Sequence, residues 1–445
     1  MYITAARADK IGGVNPLESR LLPAGRATAA WCLFDFANSS YTTLIVTVAF
    51  AVYFRQEIVH ETGNRADQLW GFANFLAMLL VAITSPVAGA MADYSGRRRL
   101  GLILTSLVTI ASTVLLFWTG RGDVIRAMAL YVAGLAGFEL GYVFYNAFLP
   151  DVSTPSTVGR VSGWGWAIGY AGGLLCLAVC YPLIGQPLDQ PAGVLAYRRS
   201  FLVVAAFFLV FAMPSFLWLK ESAVGGASGF AGCARIGFRR VGDTLRHLRR
   251  YREAAKYIGA SLFFTDGITT VTSFAGIYAT TTIGFTNREM VALFLVLNVV
   301  AFPGSLIAGH LADRIGGKGT IVATLVLWLG VVALGAAAAS RPVFWLMAIG
   351  AALGMGSTQA VGRSFMSQIT PPSRESEFFG FYALSGKVAS MFGPLIFGSV
   401  SRWTGSQRAA VLSLAPLFLA AMALMLWIDD ARARQAAFEK PASAG

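Results

Sequence analysis

The chain has 445 residues, of which 56% are hydrophobic and 13% charged, and its mean hydropathy is +0.63. This make-up excludes a water-soluble globular domain and a disordered chain, and points to a polytopic membrane protein. A formal net charge of +13 raises nucleic acid as a partner. No aromatic-basic groove or nucleic-acid module accompanies the charge, however, and the arginines stand where membrane topology asks for them.

Apolar runs close to the roughly 20 residues a spanning helix needs recur along the chain. They predict twelve transmembrane helices near 28–54, 67–92, 100–119, 125–148, 159–184, 199–219, 255–283, 288–311, 319–339, 342–366, 376–400 and 407–428. The runs lack the alternating pattern of barrel strands, so the expected fold class is an all-α integral membrane protein in two six-helix halves. The first 26 residues hold no apolar core of a signal peptide, so the first span is expected to direct insertion itself. With both termini cytoplasmic, and basic residues at span ends assigned to the adjoining loop, 23 of the 35 Lys and Arg fall inside, 10 outside and 2, Arg363 and Lys387, deep within spans. The expected organisation is a cytoplasmic tail (1–27), an N-terminal half (28–220), a basic linker with an amphipathic helix (221–253), a C-terminal half (254–428) and a second cytoplasmic tail (429–445).

The first span carries Asp35 in WCLFDFANSSYTT, where an acid in hydrocarbon costs about 2.5–3.5 kcal/mol. Asn38, Ser39 and Thr42 follow it on one helix face, and the seventh span repeats the spacing with Asp266, Thr269, Thr270 and Ser273. Two such stripes are expected to face each other across a central cavity. For Asp35, capping or pairing near the membrane boundary is the plainer alternative.

A second repeat follows the second and eighth spans, as GAMADYSGRRR (89–99) and GHLADRIGGKG (309–319). Both fit G-x-x-x-D-x-x-G with basic residues after it, which resembles the loop motif of the major facilitator superfamily. Gly89 and Gly309 would let helices approach closely. Asp93 and Asp313 would bond helix N-termini or arginines across the halves, with Gly96 and Gly316 at the turns and Arg97, Arg98, Arg99 and Lys318 as opposite charges. Topology alone also asks for turn glycines and inside arginines, so a gating role stands beside that reading.

The remaining polar groups within spans are Glu139 with Tyr142 and Asn146, Gln359 one turn from Arg363, and Lys387. With Asp35, Asn38, Tyr41, Asp266 and Thr270 they form the candidate substrate or ion site: three acids and two bases that offer anchors for an ammonium and a carboxylate. The alternative is that Arg363 or Lys387 pairs with Glu139 or another acid only to hold helices together.

In the linker, Val241, Leu245, Leu248 and Ala255 fall near one helical face among arginines, which suits an interfacial helix on an anionic leaflet or a regulatory contact. Cys32, Cys176, Cys180 and Cys233 show no metal or disulfide spacing. His60, His247 and His310 lie outside the expected central site, so a coupled proton would have to use Asp35 or Asp266. No nucleophile–base pair, metal cluster or phosphate-cradling loop argues for an enzyme, and no cofactor is expected.

Five segments, FDFANSSYTT, YNAFLPDV, SGWGWAIGYAGG, QAVGRSFMSQITP and EFFGFYALSGKVASMFGPLIFG, together resemble the vacuolar amino-acid effluxer (autophagy-related) family of the major facilitator superfamily. The resemblance implies a bacterial-type member with twelve helices and alternating access, and fungal members are associated with exporting neutral amino acids such as leucine from the vacuole. Position by position it supports Asp35, Asn38, Tyr41, Asp266, Arg363, Ser364 and Lys387. The fifth span carries Gly163, Gly165, Gly169, Gly172 and Gly173 without the proline of the drug-antiporter motif. The expected protein is a monomeric carrier of a small organic solute, most simply a neutral amino acid, in a bacterial inner membrane. A carrier of another solute or drug, or a sensor that keeps the fold without transport, are the alternatives.

Overall fold

The computed structural model describes residues 25–60, 65–221, 230–246, 251–338, 340–372, 374–389 and 392–433. The N-terminal half contains α1 (Arg26–Val59), α2 (Arg65–Ser95), α3 (Arg98–Trp118), α4 (Val124–Ala147), α5 (Val158–Ile184) and α6 (Pro191–Trp218). After a linker helix, Phe230–Arg246, come α7 (Arg252–Thr281), α8 (Asn287–Ile315), α9 (Gly317–Ala337), α10 (Arg341–Ile369), α11 (Glu375–Thr404) and α12 (Gln407–Leu426). Eleven helices among the described residues are long and apolar enough to cross a membrane. The twelfth, α7, has 30 residues, about 45 Å of helix, but is more polar around Asp266.

Two cores match the two halves. One gathers Trp31, Phe34, Tyr53, Tyr145 and Phe201, and the other Tyr257, Trp328, Phe365 and Phe418. Large side chains such as Ile83, Leu104, Val210, Ile307 and Leu395 face outward, as lipid contact requires. The sixth span starts earlier than expected, at Pro191 rather than near 199. Arg198 lies within this helix, where its Nε donates to Tyr53 OH at 2.7 Å. α1 is irregular too, with π-helical stretches at Tyr41–Val48 and Phe54–Val59.

The halves meet through glycine. In α5, Gly159 and Gly163 abut α8, whereas Gly165 and Gly169 abut α1. A Cβ on Gly309 would lie 2.5 Å from the Gly159 carbonyl oxygen, and one on Gly163 would lie 2.6 Å from that of Ser305. Across the molecule, a Cβ on Gly380 of α11 would meet the Ser85 carbonyl of α2 at 2.5 Å. Backbones that approach this closely exclude side chains and water from the seam. Both seams lie at the end of the bundle that carries the two motif loops, and this end is closed.

The linker helix docks on protein. Gly237 packs against Met91 and Val87 of α2, while Thr244 donates to Glu377 of α11 and accepts from Arg374 at 2.8 Å. Val241 is half-buried; His247 and Leu248, like the two tails but for Gly25–Ala27 and Asp429–Ala433, lie outside the described residues.

A leucine at Gly163 has no room at the α5–α8 seam and is expected to open the closed end. With the native cysteines replaced, Ala312→Cys, buried in that seam, should then react several-fold faster with a polar maleimide. Equal rates with and without Gly163→Leu would show that the seam does not control closure.

Candidate functional site

A deeply enclosed charged pair joins the two halves. Arg363 of α10 is 2% exposed and Asp35 of α1 is 4% exposed. Arg363 Nη1 donates to Asp35 Oδ2 at 2.8 Å; Nε donates to Ser162 Oγ at 3.0 Å and Nη2 to the Ser162 carbonyl at 2.8 Å. The guanidinium carbon stands 4.5 Å from the Trp31 ring centroid and 5.5 Å from those of Tyr145 and Trp166. Three electron-rich ring faces and an acid therefore replace the water that the cation has lost. Gly165 makes the geometry possible, because a Cβ there would lie 2.7 Å from Arg363 Nη2 and 2.8 Å from Asp35 Oδ2.

A second pair spans the halves beside the first. Lys387 Nζ of α11 donates to Glu139 Oε1 of α4 at 2.5 Å, with both side chains less enclosed than Arg363. Tyr142, one turn after Glu139 on α4, accepts from Arg363 Nη1 at 3.4 Å through its hydroxyl. Tyr41, at the start of a π-helical stretch, stacks on Phe138 at 5.3 Å, and among the described residues its buried hydroxyl and Asn146 Oδ1 have no hydrogen-bond partner. Asn38 is buried, and Gln359 is half-buried one turn before Arg363. The Tyr41 hydroxyl sits against Gly134 of α4.

Asp266 departs from expectation. Its Oδ1 accepts from the Gly393 backbone N–H at 2.8 Å, and Thr270 Oγ1 donates back to the Asp266 carbonyl at 2.7 Å. The α7 stripe is thus used within the C-terminal half, and the partner of Asp35 comes from α10. Gly393 explains the difference: lacking a side chain, it brings the α11 backbone onto the carboxylate.

At the closed end, each motif aspartate receives the N-terminus of a helix from the opposite half. Asp93 accepts from the Ser376 N–H at 3.1 Å, the Glu377 N–H at 2.9 Å and Arg98 Nε at 2.8 Å. Arg98 also bonds Glu375 and lies 3.5 Å from Asp151. Asp313 accepts from the Gly159 N–H at 2.8 Å and from Arg160 N–H and Nε at 3.1 and 2.9 Å. The exposed N–H groups and positive dipole end of a helix suit a carboxylate. Gly96 and Gly316 turn the loops at φ 64° and 87°, where only glycine is at ease, and Gly89 lies on the Ser376 backbone.

Two motif residues behave otherwise than expected. Lys318 does not meet Asp313; its Nζ donates to the Leu426 and Ile428 carbonyls at 3.1 and 2.6 Å, at the C-terminal end of α12. Arg97 is exposed. Arg160, Glu375, Ser162, Trp31 and Tyr145 join the site unannounced. Of these, Trp31 stands one turn before Asp35 on the same face, and Tyr145 and Ser162 fall within the segments that carry the family resemblance.

Removing one member of a buried ion pair costs about 3–5 kcal/mol, since the other is left bare. Arg363→Gln and Asp35→Asn should each lower thermal stability in detergent. The double variant should lose less than the sum of the two. Strict additivity would argue against coupling.

The family described as Vacuole effluxer Atg22 like matches residues 71–438. The chain is 28% identical over 407 residues to the uncharacterized MFS-type transporter YxiO of Bacillus subtilis, across 90% of this chain and 94% of that one. Against Autophagy-related protein 22-1 of Penicillium rubens it is 28% identical over 303 residues, which span 62% of this chain and 50% of that protein. Among solved structures, FucP in the outward conformation superposes with a TM-score of 0.72 at 15% identity, covering 92% of this chain and 99% of that one. The proton:xylose symporter XylE gives 0.70 at 15% identity, covering 91% and 94%. The fold is that of major facilitator superfamily transporters, not of an enzyme, and the multi-pass membrane chain belongs to the Vacuole effluxer Atg22 like family.

Proposed function

We propose that this transporter is a secondary active carrier of a zwitterion, most simply a neutral amino acid, working by alternating access. The observation that carries the reading is the Asp35–Arg363 pair, a buried acid and base that join the halves within an aromatic enclosure. A zwitterion mirrors such a pair. Its carboxylate takes the place of Asp35 on Arg363, its ammonium takes the place of Arg363 on Asp35, and Trp166 and Tyr142 supply an apolar wall. Charge is conserved in the exchange, so the site can change partners without stranding a bare ion in hydrocarbon. Glu139 and Lys387 repeat the same chemistry nearby.

Transport then requires the closed end to part. The Asp93 and Asp313 helix-end bonds hold it shut, and solute bound between the halves must favour the occluded state to speed the change. Two fold neighbours, XylE and FucP, are a proton:xylose and a fucose:proton symporter, and a coupled proton belongs to this proposal. So do a monomer, a bacterial inner membrane and cytoplasmic termini, the last supported by the inside-positive charge pattern.

Counterflow in proteoliposomes with labelled amino acids tests the reading. Neutral amino acids should accumulate with wild type, and Arg363→Gln should abolish the exchange. Absence of exchange across the panel, from protein shown to be folded, would overturn the amino-acid assignment.

A further inference from the structure

We infer that Asp266 is a proton-binding site distinct from the Asp35–Arg363 pair, holding a proton while α7 and α11 are packed together and releasing it when they part. The coupling role given to that proton rests on the transport reading above; the occupancy of the site does not.

Buried acids elsewhere in the bundle have a cation. Asp35 has Arg363, Glu139 has Lys387, Asp93 and Glu375 share Arg98, and Asp313 has Arg160. Asp266 is 1% exposed and, among the described residues, forms no ion pair. One oxygen accepts the Gly393 N–H at 2.8 Å; the other, Oδ2, is buried with no hydrogen-bond partner among the described residues. An ionised carboxylate in this position would carry a full charge against one backbone dipole, and stripping an unpaired ion of water costs several kcal/mol. A proton on the carboxyl group removes that charge.

The charged groups on the packed helices are engaged or distant. α7 packs on α10, α11 and α12. Lys387 is held by Glu139, Arg363 by Asp35 and Arg341 by Glu289, while Glu375 and Glu377 belong to the gate. Arg402 lies nine residues past Gly393 and Arg408 ten before Phe418, whose ring meets Gly267; at helical rise each is about 13–15 Å away along its axis. On α7 itself, Glu253 bonds Lys256, also ten residues from Asp266, and Tyr257 donates to the Gly362 carbonyl. A cation would need several oxygens, but Thr270 Oγ1 is already turned to the backbone.

Release follows from the same geometry. Gly393 lets α11 touch the carboxyl group, so a displacement of α11 admits water there. The O–H bond then ionises, the proton passes to water, and the carboxylate keeps the bond to Gly393 or exchanges it for hydration.

Asp266→Asn keeps the size of the group and an acceptor for Gly393. Infrared spectra of the purified protein in lipid at neutral pH should show a carboxylic acid C=O band that shifts in heavy water, disappears in Asp266→Asn and survives in Asp35→Asn. A spectrum unchanged by Asp266→Asn would overturn the site, whether or not any solute is transported. In proteoliposomes, wild-type uptake should depend on a pH gradient, and Asp266→Asn should flatten that dependence even where its rate falls. An unchanged pH profile, or uptake driven by sodium at constant pH, would overturn the coupling role. Failure of wild-type counterflow would instead remove the transport reading and leave the infrared result to decide the site.

Discussion

A charge in hydrocarbon must have its partner within reach, and in this protein the partner repeatedly lies in the other half. Arg363 of α10 answers Asp35 of α1, Lys387 of α11 answers Glu139 of α4, and the motif aspartates take the N-termini of α11 and α5. The bonds that solve the solvation problem are therefore also the bonds that set the relative position of the halves. Any rearrangement of the bundle must provide each charge with a substitute, from solute, water or another helix end.

Close backbone contact makes these bonds geometrically possible. α5 works on two faces, with Gly159 and Gly163 against α8 and Gly165 against the Asp35–Arg363 pair. One helix thereby couples the gate seam to the central pair: a shift of α5 that loosens Asp313 from Gly159 also moves Ser162, which holds Arg363 through two hydrogen bonds. Packed seams of this kind switch between discrete arrangements and do not deform gradually.

The sequence made the spans, the repeated loops and the charged residues legible, because hydropathy, repetition and rarity are local signals. Partner choice was not local. Periodicity places Asp266 on the same kind of stripe as Asp35, but only the approach of Gly393 turns it toward α11. Lys318 matched a motif position, yet the end of α12 claims it, and Arg160 from a different loop meets Asp313 instead. Glu375 reads as an ordinary first-turn acid until Arg98 is brought beside it. The early start of α6 was hidden because hydropathy does not show that Arg198 finds a partner, Tyr53, inside the bundle. What failed to show was each time the rotation of one helix against another.

The two locks also differ in their access to ions. The Arg98 guanidinium, with side-chain exposure of 4%, is sealed among Asp93, Glu375 and Asp151, whereas Arg160 is 41% exposed on its side chain beside Asp313. Dissolved salt weakens interactions between exposed charges, with a screening length of about 8 Å at physiological strength that shortens as salt is added, and hardly reaches enclosed ones. Rising ionic strength therefore weakens the α5–α8 edge while leaving the α2–α11 edge in place, so the bundle behaves as a door with a dry hinge on one side and a wet latch on the other.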